Sequence, residues 1–381
     1  RKKSLSKSLA DYVTSITNLA QLYRIKGQYR EAEALYDKAL KITGKKLGQR
    51  HPNYAVCLNN LADHYFYMGA YEGAKQLYLE VLEIRGELLG KSHPDYATSL
   101  NSLAELYKKQ GKYVAAEPLY LEALETKAKV LGISHPDYAV TMNGLAELKL
   151  TQGEYTKSKA LYETVLNIRS AALGKSHPDY AASLSNLAYL NFVQGRYEEA
   201  EKLYTEALDI LGKRPCHPLY ANVLEQRNKV FDTQERFDEV EQAWKAIIKA
   251  CEDCLGKNHL DSGLSNQKLA QFYYQQGQYD KAANHVEEAL RVQVRKLITN
   301  VSTIEEQALK EYLDAIKTTF NLQVSIAIAD PEPEVLKSVY KVSLLQNRFL
   351  LTTGVSAKHL VLATKDSLIK QDYEDLQRKK L

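Results

Sequence analysis

The dipeptide His-Pro returns at His51-Pro52, His93-Pro94, His135-Pro136 and His177-Pro178, 42 residues apart each time. It recurs at His217-Pro218, and His259 follows without its proline. A period of this length constrains the chain more than any other feature, because it belongs to arrays whose units cannot bury their apolar faces alone. Leu-Ala stands ten residues after the His at Leu61-Ala62, Leu103-Ala104, Leu145-Ala146, Leu187-Ala188 and Leu269-Ala270. Gly-x-Tyr follows at Gly69/Tyr71, Gly111/Tyr113, Gly153/Tyr155, Gly195/Tyr197 and Gly277/Tyr279. The first unit has Leu19-Ala20 and Gly27-x-Tyr29 without the preceding His-Pro. Six units close on Leu-Gly, at Leu47-Gly48, Leu89-Gly90, Leu131-Gly132, Leu173-Gly174, Leu211-Gly212 and Leu255-Gly256, and with the last, seven units occupy residues 5–297.

Leu61, Ala62 and Tyr65 share a helical stripe, and Gly69 ends that helix where a positive backbone angle is needed. Leu77, Tyr78, Val81 and Leu82 repeat the stripe, so a unit reads as a helical hairpin. Ala62 and Ala74 are small where its two helices approach, and stacked neighbours complete the core. His-Pro-Asp-Tyr offers metal-ligand side chains, but equivalent residues of stacked units lie about 10 Å apart, whereas the ligands of one zinc lie about 2 Å from it. Pro94 at the first helical position and Asp95 in the first turn read as a helix start instead. The 27 tyrosines, against 7 Phe, fall into two series. Tyr54, Tyr96, Tyr138 and Tyr180 open the first helices; Tyr36, Tyr78, Tyr120, Tyr162 and Tyr204 sit midway along the second. Both are expected to pack between layers with their hydroxyls at the edges.

These motifs, L-x-N-L-A, Q-G-x-Y and A-x-x-L-Y-x-x-A-L, resemble the tetratricopeptide repeat, and within it the kinesin-light-chain type. The resemblance implies an all-α fold, a right-handed solenoid of helix-turn-helix units with a C-terminal helical extension. Unit 217–256 departs from the pattern: Arg227-Asn228 replace Leu-Ala, Glu235 replaces Gly, and Ala243-Trp244 replace Leu-Tyr. Beyond it, residues 298–381 read as a capping or linker region. Helices are expected near 302–328, 333–351 and 356–381, broken by Asp330-Pro331-Glu332-Pro333 and Thr353-Gly354. Val339 to Leu351 also resembles the linker that precedes the caspase-like CHAT protease domain of bacterial repeat proteins. That resemblance implies a native chain continuing past Leu381, with the present residues as a sensor arm.

A formal net charge of +4, spread among interspersed acids and bases, lacks the footprint of a nucleic-acid binder. No run approaches the roughly 20 apolar residues of a membrane span. Four cysteines in 381 residues suggest no secreted framework, so the expected setting is cytoplasmic and reducing. Phosphate-cradling glycine loops, a nucleophile elbow and H-E-x-x-H are absent from the sequence, so neither an enzyme nor a cofactor is expected. Cys251 and Cys254 form a C-x-x-C, and Cys216, His217 and His259 belong to turns expected on the same edge. A zinc or redox site could be assembled from them; the alternative is that they are small core residues.

With Leu61, Ala62 and Tyr65 facing the core, the positions on the opposite side of each first helix should line a concave groove. They are Asn59, Asp63, Phe66 and Tyr67; Asn101, Glu105, Lys108 and Lys109; Asn143, Glu147, Leu150 and Thr151; then Ser185, Tyr189, Phe192 and Val193. Three asparagines at one offset offer paired donors and acceptors for the backbone of an extended peptide, the use that the kinesin-light-chain resemblance also implies. The acids favour a basic or amide-rich ligand, and the aromatic and aliphatic members favour apolar anchors. The expected function is a non-catalytic protein-interaction scaffold holding a protein or peptide segment. The groove could instead be filled by the chain's own missing C-terminal domain.

Overall fold

The computed structural model describes residues 2–25, 28–212, 216–300 and 306–330, and every regular element among them is an α-helix. The order is α1 (Lys2–Ile25), α2 (Tyr29–Leu47), α3 (Pro52–Tyr67), α4 (Tyr71–Leu89), α5 (Pro94–Lys109), α6 (Tyr113–Val130), α7 (Pro136–Thr151), α8 (Tyr155–Leu173), α9 (Pro178–Val193) and α10 (Tyr197–Leu211). It continues with α11 (Pro218–Thr233), α12 (Phe237–Leu255), α13 (Leu260–Gln275), α14 (Tyr279–Asn300) and α15 (Glu306–Ala329). Odd and even helices up to α14 pair as the A and B helices of seven hairpins. The chain divides into two compact units, Arg1–Lys213 and Arg214–Leu381. The expected helices at 333–351 and 356–381, and with them the Val339 to Leu351 stretch, lie outside the described residues.

The His-Pro signal is a helix start. At α3, α5, α7, α9, α11 and α13 the Nδ1 of His51, His93, His135, His177, His217 and His259 accepts the backbone N–H two residues on, at 3.1–3.3 Å. The imidazole thereby satisfies one of the four orphan N–H groups that every helix start exposes. Five A helices, α3, α5, α7, α9 and α13, end at a glycine in the left-handed region, Gly69, Gly111, Gly153, Gly195 and Gly277, with φ between 69° and 77°. In the sixth hairpin the same conformation falls on Glu235, φ 57°, where a Cβ is penalised. Glu235→Gly should therefore stabilise the second unit by about 1 kcal/mol, read as a raised urea midpoint; an unchanged or lower midpoint would refute it.

In the first unit, Ala62 and Ala74 are fully buried, as are the ring-bearing Tyr36, Tyr78, Tyr120, Tyr162 and Tyr204. Successive hairpins are also held by buried cations. Arg85 donates to the Asp95 carbonyl at 3.0 Å and Ser99 Oγ at 2.8 Å. Lys127 does so to Asp137 O at 3.2 Å and Thr141 Oγ1 at 2.9 Å, and Arg169 to Asp179 O at 3.0 Å and Ser183 Oγ at 2.9 Å. Each cation leaves a B helix and ties down the first turn of the next A helix. Burial alone would discharge such groups, and it does lower the pKa of Arg85, Lys127 and Arg169.

The second unit has its core on α11 to α15, from Phe231, Val240, Leu269, Ala270, Phe272, Tyr273, Val286 and Leu290. Ile316 and Ile326 of α15 pack into it. Arg227 lies over the Phe231 ring at 5.3 Å and Arg236 at 4.5 Å, so this hairpin uses cation–π contacts where its siblings use Leu-Ala.

Candidate groove on the A helices of the first unit

The predicted lining residues are drawn together, but largely with one another. Asp63 accepts from the Tyr78 hydroxyl at 2.5 Å and from Asn59 Nδ2 at 3.0 Å. One repeat on, Glu105 accepts from the Tyr120 hydroxyl at 2.6 Å. Lys108 Nζ lies 2.8 Å from Glu105 and, crossing from α5 to α7, 2.7 Å from Glu147. Asn143 Nδ2 donates to Glu147 at 2.9 Å, and Asn186 of α9 donates to Asn143 Oδ1 at 2.7 Å. A continuous polar network thus runs from α5 through α7 to α9.

This changes the standing of several residues. Lys108, expected on the open face, is 8% exposed. Burial works against its ammonium, but Glu105 and Glu147 outweigh that and hold its pKa above the ordinary lysine value. Asp63 is the reverse case: burial raises its pKa although Tyr78 and Asn59 donate to it and Arg24 and Arg85 lie near. Leu150 packs against the core around Ala146, Tyr162, Leu187 and Leu190. Gly144 is required beside the network, since a Cβ there would meet Glu105 Oε1 at 2.6 Å and Tyr120 Cε1 at 2.7 Å.

Unmet hydrogen-bonding capacity survives at two places on the asparagine ladder. Asn59 Oδ1 and Asn101 Oδ1 have no partner. The donor that serves Asn143 comes from Asn186, 43 residues on; at that sequence spacing Asn101 is followed by Gly144, which has no side chain, and Asn59 by Ser102. Two aromatic groups flank the ladder. At one end Phe66 contacts Tyr67 and Tyr71, at ring distances of 5.8 and 6.0 Å, and Arg24 lies 4.0 Å over the exposed Tyr67 ring. At the other, Phe192 contacts Tyr189 at 6.3 Å and Tyr197 at 5.9 Å. Tyr189 takes the place that Asp63 and Glu105 hold in earlier repeats, and the Tyr204 hydroxyl beneath is buried without a partner.

The cysteine cluster resolves differently from either reading of the C-x-x-C. Cys254 is joined to Cys216, while Cys251 is free and buried. The antiparallel α11–α12 hairpin returns the end of α12 to the residue before α11, a closure invisible in a separation of 38 residues. Free thiols throughout, as expected for a reducing setting, are therefore found only at Cys57 and Cys251. Among the described residues no three His, Cys, Asp or Glu side chains are grouped to hold a metal, and no helix is long and apolar enough to cross a membrane.

The tetratricopeptide repeat family profile matches residues 12–87, 59–129, 95–168 and 137–213, and a second profile of that description matches 267–297. Among solved structures, BtubC from P. vanneervenii is 28% identical over 54% of this chain and 82% of its own, with a TM-score of 0.47. Putative kinesin light chain repeats from Podosopora anserina are 28% identical over 54% of this chain and 97% of theirs, TM-score 0.43. A tetratricopeptide repeat protein from Parabacteroides merdae is 16% identical over 81% of this chain and 98% of its own, TM-score 0.43. No curated protein matches. With profile matches running unbroken from residue 12 to 213, over half of the chain, and hairpins that repeat one capping and packing scheme, the chain belongs to the tetratricopeptide repeat family.

Proposed function

We propose that this chain is a non-catalytic interaction scaffold whose first unit holds an extended polypeptide segment along helices α3 to α9. The observation that carries this reading is the pair of unpartnered side-chain carbonyls, Asn59 Oδ1 and Asn101 Oδ1, at equivalent places one repeat apart. A buried acceptor left unmet costs about 1–3 kcal/mol, and backbone N–H groups of an extended chain would relieve that cost whatever its sequence. The exposed Tyr67 and Tyr189 with their neighbours Phe66 and Phe192 supply anchoring surface for bulky side chains. Asp63, which makes hydrogen bonds but has no ion-pair partner within 4 Å among the described residues, favours a basic or amide-bearing residue next to the Phe66 end.

Asn143 is committed to the internal network, so the test uses the other two. A random twelve-residue peptide library displayed on phage is selected on the wild-type chain, and the recovered peptides are measured on Asn59→Ala/Asn101→Ala. Affinity should fall at least tenfold while the melting temperature stays within a few degrees. Undiminished affinity, or a library that yields no binder, would remove the reading.

A further inference from the structure

Sulfur is concentrated where the array departs from its own pattern. Cys216 immediately precedes the cap His217, and Cys254 lies in the last turn of α12; their Cα atoms are 5.1 Å apart and the sulfurs are bonded. No other hairpin carries cysteine at either place. The residue before the cap is Arg50, Ser92, Ser134, Ser176 or Asn258, and the counterparts of Cys254 are Lys46, Leu88, Val130, Ala172 and Ile210.

The same hairpin departs from its siblings in non-covalent packing as well. Asn228 stands where its siblings have alanine, 3% exposed, with Oδ1 lacking a partner. Glu235 occupies the left-handed C-terminal position that glycine fills elsewhere. A covalent link between the entry of α11 and the exit of α12 closes this hairpin on itself and limits the freedom of its unfolded chain. Access separates this bond from the other thiols: Cys216 is exposed and Cys254 half-buried, whereas Cys57 and Cys251 are buried.

We infer that Cys216–Cys254 is a reversible thiol-modification site whose opening by a dithiol reductant frees the α11–α12 hairpin, making it the redox-sensitive element of the second unit. In the opening step one thiolate of the reductant attacks a cystine sulfur, the Cys216–Cys254 bond breaks and a mixed disulfide forms. The second reductant thiol displaces the remaining cysteine. Two electrons pass from reductant to protein, the reductant becomes a disulfide, and two protons complete the Cys216 and Cys254 thiols.

The experiment compares the full chain after incubation in oxidised glutathione with the same chain after a dithiol reductant. Alkylation under denaturing conditions should label only Cys57 and Cys251 in the oxidised sample and all four cysteines in the reduced one. Amide hydrogen exchange within 218–255 should accelerate at least tenfold on reduction, with exchange in 52–193 unchanged. Cys216→Ser/Cys254→Ser should exchange like the reduced wild type even under oxidant. Four labelled cysteines after oxidation, a link involving Cys251, or equal protection of 218–255 in both states would each overturn the inference, and the wild-type comparison decides the matter even if the variant fails to fold.

Discussion

Replacing Lys108 with methionine should destabilise the first unit by about 2–3 kcal/mol, the largest loss expected from any single substitution on the groove face. Lys108 lies between two carboxylates, 2.8 Å from Glu105 and 2.7 Å from Glu147. Removing the central charge of a buried triad costs about 3–5 kcal/mol when the partners remain buried. Glu105 and Glu147 keep 30% and 41% of their side chains exposed, so water takes up part of their charge and the smaller figure applies. Loss of the triad should also uncouple α5 from α7, because Lys108 is the atom-to-atom link between those helices. Adding Glu105→Gln and Glu147→Gln should recover most of the loss, since no uncompensated carboxylate is then left. The Lys108 pKa is raised in the fold, so its contribution is complete at neutral pH and disappears only as pH climbs through that raised value. Urea unfolding of the single and triple variants at pH 7, with hydrogen exchange across 94–173, measures this. A single variant within 1 kcal/mol of wild type, or a triple variant no better than the single, would show the triad to be structurally idle.

The array itself was legible because its signals are repeated and local. A helix start depends on the few residues at the start, so His-Pro-Asp-Tyr could be read as one. The tyrosine series foretold burial between layers but not where the hydroxyls go: those of Tyr78 and Tyr120 bond Asp63 and Glu105, and that of Tyr204 is buried without a partner. The groove was legible only as a face. A single-helix wheel placed Asp63, Glu105 and Glu147 opposite the apolar stripe of α3, α5 and α7. It could not show that the tyrosine fifteen residues on, in the B helix, reaches back to Asp63 and Glu105, so charges read as ligand contacts turn out to be partly spent. Arg85, Lys127 and Arg169 did leave a signal. They recur at the repeat period, each followed fourteen residues later by a hydroxyl, at Ser99, Thr141 and Ser183. The link between Cys216 and Cys254 left none, because it depends on where a whole hairpin returns.

The network also bears on how the groove would discriminate between ligands. From Glu105 to Asn186 its donors and acceptors are satisfied within the chain, so a ligand would gain little by competing for them and would have to break charge-assisted bonds to do so. Selectivity should therefore reside at the margins: the unmet carbonyls of Asn59 and Asn101, and the aromatic group at Tyr189 and Phe192 over the unpartnered Tyr204 hydroxyl.

His64→Leu should raise stability at neutral pH and erase most of the acid sensitivity of the N-terminal hairpins. His64 is fully buried at the place where the later A helices carry Leu106, Leu148 and Leu190. Neither ring nitrogen has a hydrogen-bond partner; the ring lies among Tyr36 at 5.5 Å, Tyr65 at 6.0 Å and Tyr29 at 6.3 Å. Burial, with a smaller contribution from the Arg24 charge, pushes its pKa down to about 4 from the ordinary 6.5. The folded state therefore binds fewer protons at His64 than the unfolded state between those two values, and stability must fall as pH drops through that window. The shift corresponds to about 3 kcal/mol, lost between pH 6.5 and 4 and constant on either side. Leucine keeps the apolar volume and deletes two buried polar atoms, worth about 1–2 kcal/mol at pH 7. The gap between variant and wild type should thus widen as the solution is acidified, reaching about 4 kcal/mol near pH 4. Urea midpoints of both proteins at pH 7.5 and 4.5 test this, because carboxylate protonation is common to the two and cancels in the difference. A gap that stays constant with pH would mean that His64 is not the group whose protonation opens this end of the array, and Asp63, whose pKa burial raises, would be the next carboxylate to examine.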